Sequence, residues 1–122
     1  MANPNKRRGT EWETAVVRYL REHIPGHDIR RVAQTGIKDV GDIHAWPCVL
    51  ECKNERTFRL ADWVQQATEE AENAGAPYGV VVAKRRGKGP GHGYVVMSLA
   101  TFTRILREIR GDTPPPAQLP HG

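Results

Sequence analysis

Cysteine is scarce in this 122-residue chain, with Cys48 and Cys52 as the only two. That is too few for a disulfide framework, and a zinc site would need two further ligands at a spacing that no second cysteine pair supplies. No apolar run approaches the roughly 20 residues of a bilayer span. The first residues, MANPNKRRGTEWE, hold no apolar stretch of the kind a secretory signal needs. No internal repeat occurs, and GKGPGHG at 87–93 is not followed by the Gly-Lys-Ser/Thr that closes a P-loop. Acids are missing from two segments. Residues 1–10 carry Lys6, Arg7 and Arg8, and residues 84–93 carry Lys84, Arg85, Arg86 and Lys88, with no carboxylate in either. These absences leave a cytoplasmic, soluble domain that does not enter a membrane.

What remains is a basic chain, 18 Lys+Arg against 14 Asp+Glu for a net charge of +4, with 39% hydrophobic residues. Its length fits one domain with a core of its own. Both basic segments read as contacts to a phosphate backbone, or as a solvated tail and a solvated loop.

The spacing predicts a helix opened by Thr10, with Trp12, Ala15, Val16, Tyr19 and Leu20 on one face. Glu13 stands at capping-box distance from Thr10. Residues 27–33 form a possible strand. Asp42–Trp46 and Cys48–Lys53 read as two strands joined around Trp46-Pro47, in a register where paired residue numbers sum to 93. A second helix over 60–74 presents Leu60, Trp63, Val64, Ala67, Ala71 and Ala74. A buried strand follows at 78–83, then another at 94–99. Ser98 or Thr101 caps a last helix with Phe102, Ile105, Leu106 and Ile109 as its buried stripe. The resulting division is a basic arm at 1–9, one domain at 10–111 and a Pro-rich tail at 112–122, expected to be disordered. The order α-β-β-β-α-β-β-α predicts an α/β fold, a central mixed sheet flanked by helices.

The predicted register has a chemical consequence. Asp42 falls opposite Glu51, and Lys53 lies two residues on, on the same face. Two opposed carboxylates repel, and a hard divalent cation such as Mg²⁺ removes the conflict. Lys53 is then placed to orient water or to neutralise charge on a phosphate. The structural alternative is a surface hairpin with a cross-strand ion pair through Lys53. Glu13, at the edge of its helix's apolar face, points either to this site or to the cap. His44 reads as a half-exposed strand histidine, and the two cysteines alternate to the opposite face as buried free thiols. Trp12 and Trp63 read as core.

Gly41-Asp42-Ile43 followed by Glu51-Cys52-Lys53 resembles the signature of the PD-(D/E)xK nuclease superfamily, although glycine stands in the place of its proline. Arg8-Gly9 with Glu13 four residues on, and Thr35-Gly36 ahead of the aspartate, resemble the archaeal-type Holliday junction resolvases. Thr14 departs from the arginine often found there. The resemblance, over about residues 6–85, implies a restriction-endonuclease-like αβββαβ core. It also implies Glu13, Asp42 and Glu51 as metal ligands for Mg²⁺, with Mn²⁺ as a substitute, and Lys53 as the catalytic lysine. Thr35 is implied at the scissile phosphate, and Gln66, or Gln65, on the helix beyond. With Arg30, Arg31, Lys38 and the two basic segments, this set predicts an endonuclease on branched DNA, a four-way junction above all, working as a homodimer. The same chemistry on flaps, single strands or duplex, or a non-catalytic DNA-binding module, are the alternatives. The place of action is the cytoplasm, at the nucleoid or in a viral host.

Overall fold

A computed structural model describes residues 4–26, 28–33 and 36–114. Thr35 and residues 115–122 of the expected tail lie outside the described residues. Three α-helices and five strands are found among the described residues. Helix α1 (Pro4–His23) is followed by β1 (Arg30–Arg31), β2 (Ile43–Ala45) and β3 (Cys48–Lys53). Helix α2 (Leu60–Ala74), β4 (Tyr78–Ala83), a 3-10 turn at Pro90–His92, β5 (Tyr94–Val96) and α3 (Leu99–Arg110) complete the chain. The strands lie in the order of their numbers. β3 and β4 run parallel, with α2 as the long crossover that a parallel pair needs, and every other pair is antiparallel. This is the predicted α/β order with a mixed sheet.

The helix start differs from expectation. α1 begins at Pro4, so Thr10 lies inside it, the Thr10–Glu13 capping box does not form, and a boundary at residue 10 would cut the helix. Lys and Arg are good helix formers, and Arg7 reaches Glu11 one turn on at 3.2 Å, so Gly9's cost of roughly 1 kcal/mol does not stop the helix. Lys6, Arg7 and Arg8 therefore ride on a helix, not a loose arm.

The register is the predicted one. Ile43 pairs with Leu50, His44 with Val49 and Ala45 with Cys48. Only Trp46 and Pro47 remain for the turn, joined by a cis peptide, which admits proline at the second central position.

β4 is buried along its whole length and alternates between two cores. Val80 and Val82 pack with Trp12, Val16, Val17, Ile29, Ile43 and Leu50 beneath α1, while Val81 and Ala83 pack with Trp63 and Ala67 beneath α2. The two long helices thus cover opposite faces. Each large apolar side chain so buried contributes roughly 1.5–3 kcal/mol. Trp12 and Trp63 are core, as expected, and the Trp12 indole N–H donates to the Val82 carbonyl at 3.1 Å. α2 sits tightly on β4: a Cβ at Gly79 would lie 2.1 Å from the Ala67 carbonyl oxygen.

α3 corrects the sequence reading. Ser98 caps it, accepting from the Thr101 N–H at 3.0 Å, but Phe102, Leu106 and Ile109 are exposed by 45%, 39% and 75%, and Ile105 is only half-buried. The helix is anchored by buried Thr101 and by the Tyr78 hydroxyl, which donates to the Arg104 carbonyl and the Glu108 carboxylate. At about 100° per residue these anchors fall some 100° around the helix from the apolar stripe. Polar contacts, not amphipathicity, set its rotation. Among the described residues no helix is long and apolar enough to cross a membrane.

Candidate metal and nucleic-acid site

Asp42 stands one residue before β2. Its N–H donates to the Leu50 carbonyl at 3.0 Å, its carbonyl accepts from Val32 at 2.9 Å, and its Oδ2 accepts from the Cys52 N–H at 2.8 Å. The side chain therefore satisfies a donor that a longer β2 would have met with backbone, and this aims the carboxylate at β3. Glu51, on β3, is buried, with 5% exposure. The Asp42 and Glu51 carboxyls are near enough for each to shift the other's titration, in keeping with the register.

The cluster goes further than the predicted trio. Glu51 also meets Glu70 of α2, and Glu70 meets Asp39, so that one carboxylate oxygen from each of Asp39, Glu51 and Glu70 lies within 4.8 Å of the others. Glu70 is only 1% exposed. Burial pushes Asp42 and Glu51 up to about 8, with Glu51 adding to the rise at Asp42, and with Asp42 opposing and Glu70 adding to the rise at Glu51; burial also pushes Glu70 up to about 7, with Glu51 opposing and Asp39 adding. Oε2 of Glu51 and both oxygens of Glu70 are buried with no hydrogen-bond partner. A hard cation with oxygen ligands meets what these atoms lack, so the donor set fits Mg²⁺ or Mn²⁺.

Glu13 stands apart from this cluster. Arg31 donates to its Oε1 from Nε and Nη2, each at 3.2 Å. It is nevertheless near Asp42, since burial and then the Asp42 charge raise its pKa, with Arg31 opposing them. Arg31 is thus engaged with an acid, whereas Arg30 and Lys38 are exposed. Lys53 is half-buried, with its ammonium 5.8 Å from the Trp63 ring centre, so the cross-strand ion pair of the alternative reading is not what holds it. His44 is half-buried and donates from Nε2 to the Val40 carbonyl at 2.7 Å, a structural bond that fixes its tautomer. Cys48 and Cys52 are free, half-buried thiols, and burial pushes both up, so neither is a thiolate at neutral pH. Gln65 is exposed and bonded to Glu69 at 3.2 Å, while Gln66 is half-buried, on the inner side.

The two basic segments converge beside Lys53. A polar groove of about 700 Å³ is lined by Arg8 of α1, Arg86 of the glycine-rich loop, and Lys53, Asn54, Arg56 and Arg59 of the β3–α2 connection. A second groove, of about 450 Å³, continues from Arg8 and Arg86 to Lys84 and Lys88. Lys84 holds its ammonium 5.9 Å from the Trp12 ring centre, and Lys6, Arg7 and Arg85 are exposed. Asn54, Arg56 and Arg59 were not anticipated from sequence, since they belong to no acid-free run.

Gly41 closes the acidic end. Its φ is +92°, and a Cβ there would lie 2.3 Å from Val49 Cγ1 and 3.6 Å from Glu70 Oε2. Gly41→Ala is expected to cost roughly 2–4 kcal/mol, from left-handed strain plus overpacking, read as the fall in unfolding free energy in urea. A loss below about 0.5 kcal/mol, the scale of a neutral surface change, would show that the loop can relax.

Comparison with family models, with curated proteins and with solved structures found no match.

Proposed function

We propose that the chain is a divalent-metal-dependent endonuclease that hydrolyses DNA phosphodiesters in a restriction-endonuclease-like core. The observation that carries this reading is the half-buried carboxyl of Asp42 beside the buried carboxyl of Glu51, with Lys53 two residues on, next to a groove lined by Arg8, Arg56, Arg59 and Arg86. Asp42 and Glu51 would hold Mg²⁺, with Glu13 near enough to join once Arg31 turns to phosphate. The bound ion supplies Lewis-acid activation of the phosphate and a water made nucleophilic at neutral pH. The groove cations neutralise the phosphates on either side and fix the strand in register with the carboxylates. Lys53, half-buried at the groove beside Trp63, offers its ammonium to charge that builds on the reacting phosphate.

Branched DNA is the proposed substrate class, a four-way junction first, on the strength of the resemblance in Arg8-Gly9 and Glu13. Two symmetric cuts need two sites, and one chain carries one, so the working form is a twofold homodimer. The experiment is a cleavage assay with and without Mg²⁺ on an immobile junction, a flap, a duplex and a single strand. Paired symmetric nicks on the junction alone support resolution, and products on flap or single strand keep the chemistry while replacing the substrate. No Mg²⁺-dependent product on any of them removes the nuclease reading.

The groove makes its own prediction. Arg86→Glu, exposed and remote from the core, is expected to weaken junction binding by about 10-fold at 100 mM salt. The slope of log affinity against log salt should also fall by about one to two, since a phosphate contact becomes a repulsion. Unchanged affinity and slope in a gel-shift titration would place the DNA elsewhere.

A further inference from the structure

Glu70 has no role in the proposed hydrolysis, yet it is the most buried charged side chain among the described residues, at 1% exposure. A carboxylate on a helix face that packs on a sheet is costly unless something compensates it. No cation does so. Neither Glu51 nor Glu70 joins an ion pair among the described residues, and the oxygens of Glu70 have no hydrogen-bond partner. The surroundings hold it in place. Asn73 donates to the Asp39 carbonyl at 2.8 Å, tying the loop to α2, and the Gly41 N–H donates to Asp39 Oδ1 at 2.9 Å, setting the direction of that carboxylate.

We infer that Asp39, Glu51 and Glu70 form a second divalent-cation site, on the α2 side of the sheet, behind the Asp42–Glu51 pair. Oxygens from the three side chains lie within 4.8 Å of one another, no farther apart than opposite oxygens around one Ca²⁺ ion. The all-oxygen donor set suits Ca²⁺, Mn²⁺ or Mg²⁺. Asp39 is exposed, so the cluster reaches solvent at this residue. The ion cancels the charge that burial strands on Glu70 and clamps the Asp39–Asp42 loop to α2. It thereby positions Asp42 at the end of β2. The site shares Glu51 with the proposed catalytic pair but does not require that the chain be a nuclease.

The test is a Mn²⁺ titration of the full-length chain, counting bound ions by electron paramagnetic resonance, with circular dichroism to verify folding. Wild type is expected to bind two ions, Glu70→Gln to lose one, and Asp42→Asn to lose the other while keeping the Glu70-dependent ion. Asp39→Asn, an exposed loop change that leaves the buried face intact, is expected to weaken that same ion by 10-fold or more, so the result does not rest on one buried variant. Mn²⁺ binding to Glu70→Gln and Asp39→Asn with wild-type number and affinity would overturn the site and leave the nuclease reading untouched. A Glu70-dependent ion in a chain that cuts no DNA would uphold the site and remove the nuclease reading.

Discussion

Asp42→Asn and Glu51→Gln are each expected to lower Mg²⁺-dependent cleavage by about 10³-fold or more, the scale of losing a group that organises charge in the transition state. Both substitutions keep the shape of the side chain. Both remove a carboxylate that burial and a like-charged neighbour destabilise, so the metal-free proteins should unfold at the same temperature as wild type or higher. That direction separates a chemical defect from a folding defect, because the usual cost of a buried substitution has the opposite sign. DNA affinity should stay within a few-fold, since the groove of Arg8, Arg56, Arg59 and Arg86 is untouched. Single-turnover cleavage of a labelled junction, beside a gel shift in Ca²⁺, reads both quantities. Wild-type cleavage by either variant would show that the paired carboxyls are not the hydrolytic centre.

The pairing of Asp42 with Glu51 was legible because strand register is an integer. Once the turn was centred on Trp46-Pro47 the paired numbers had to sum to 93, and the alternation of Cys48–Lys53 decided which residues shared a face. The order of elements was legible for a similar reason, since period 2 and period 3.6 are hard to confuse over runs as long as 60–74 and 78–83.

Glu70 was harder to find. At 100° per residue it lies about 20° from Trp63, but on the far side from the arc that the six apolar residues fill, so it reads as the first position of the polar face. Asp39 could not be found this way. It sits in a loop whose path depends on Gly41 at φ +92° and on the bond from Asn73, a contact between residues 34 apart in sequence. The helix start escaped for another reason: Thr10 with Glu13 satisfies the capping pattern, but propensity and an i,i+4 ion pair carried the helix past it. The rotation of α3 was hidden because its anchors are polar, and hydrophobic periodicity does not register them.

The metal-free chain should lose stability as the pH rises from about 4.5 to 8, and divalent cations should restore it. The sign follows from where the protons sit. Asp42 and Glu51 titrate at about 8 and Glu70 at about 7 in the folded chain, against ordinary values of 3.8 for aspartate and 4.5 for glutamate. Below the ordinary values both folded and unfolded chains hold these protons, and the cluster costs little. As pH rises through the window the unfolded chain releases them while the folded chain keeps them, so stability falls; above about 8 both have released them and the loss is complete. A tenfold preference for the protonated form is about 1.4 kcal/mol, so the cluster's share is several kcal/mol, or on the order of 10 °C in melting temperature for a domain of this size. Other acids titrate across the same range, so the diagnostic quantity is the difference from Glu51→Gln, whose melting temperature should fall less steeply over that window in chelator-treated samples. Adding Mn²⁺ at pH 8 should then raise wild type far more than the variant, because an ion that binds only the folded chain adds stability in proportion to the logarithm of its occupancy. Equal slopes for the two proteins, with no divergence on adding metal, would mean that the carboxyls at Asp42, Glu51 and Glu70 have found compensation from within the chain, and that no ion is needed to hold them together.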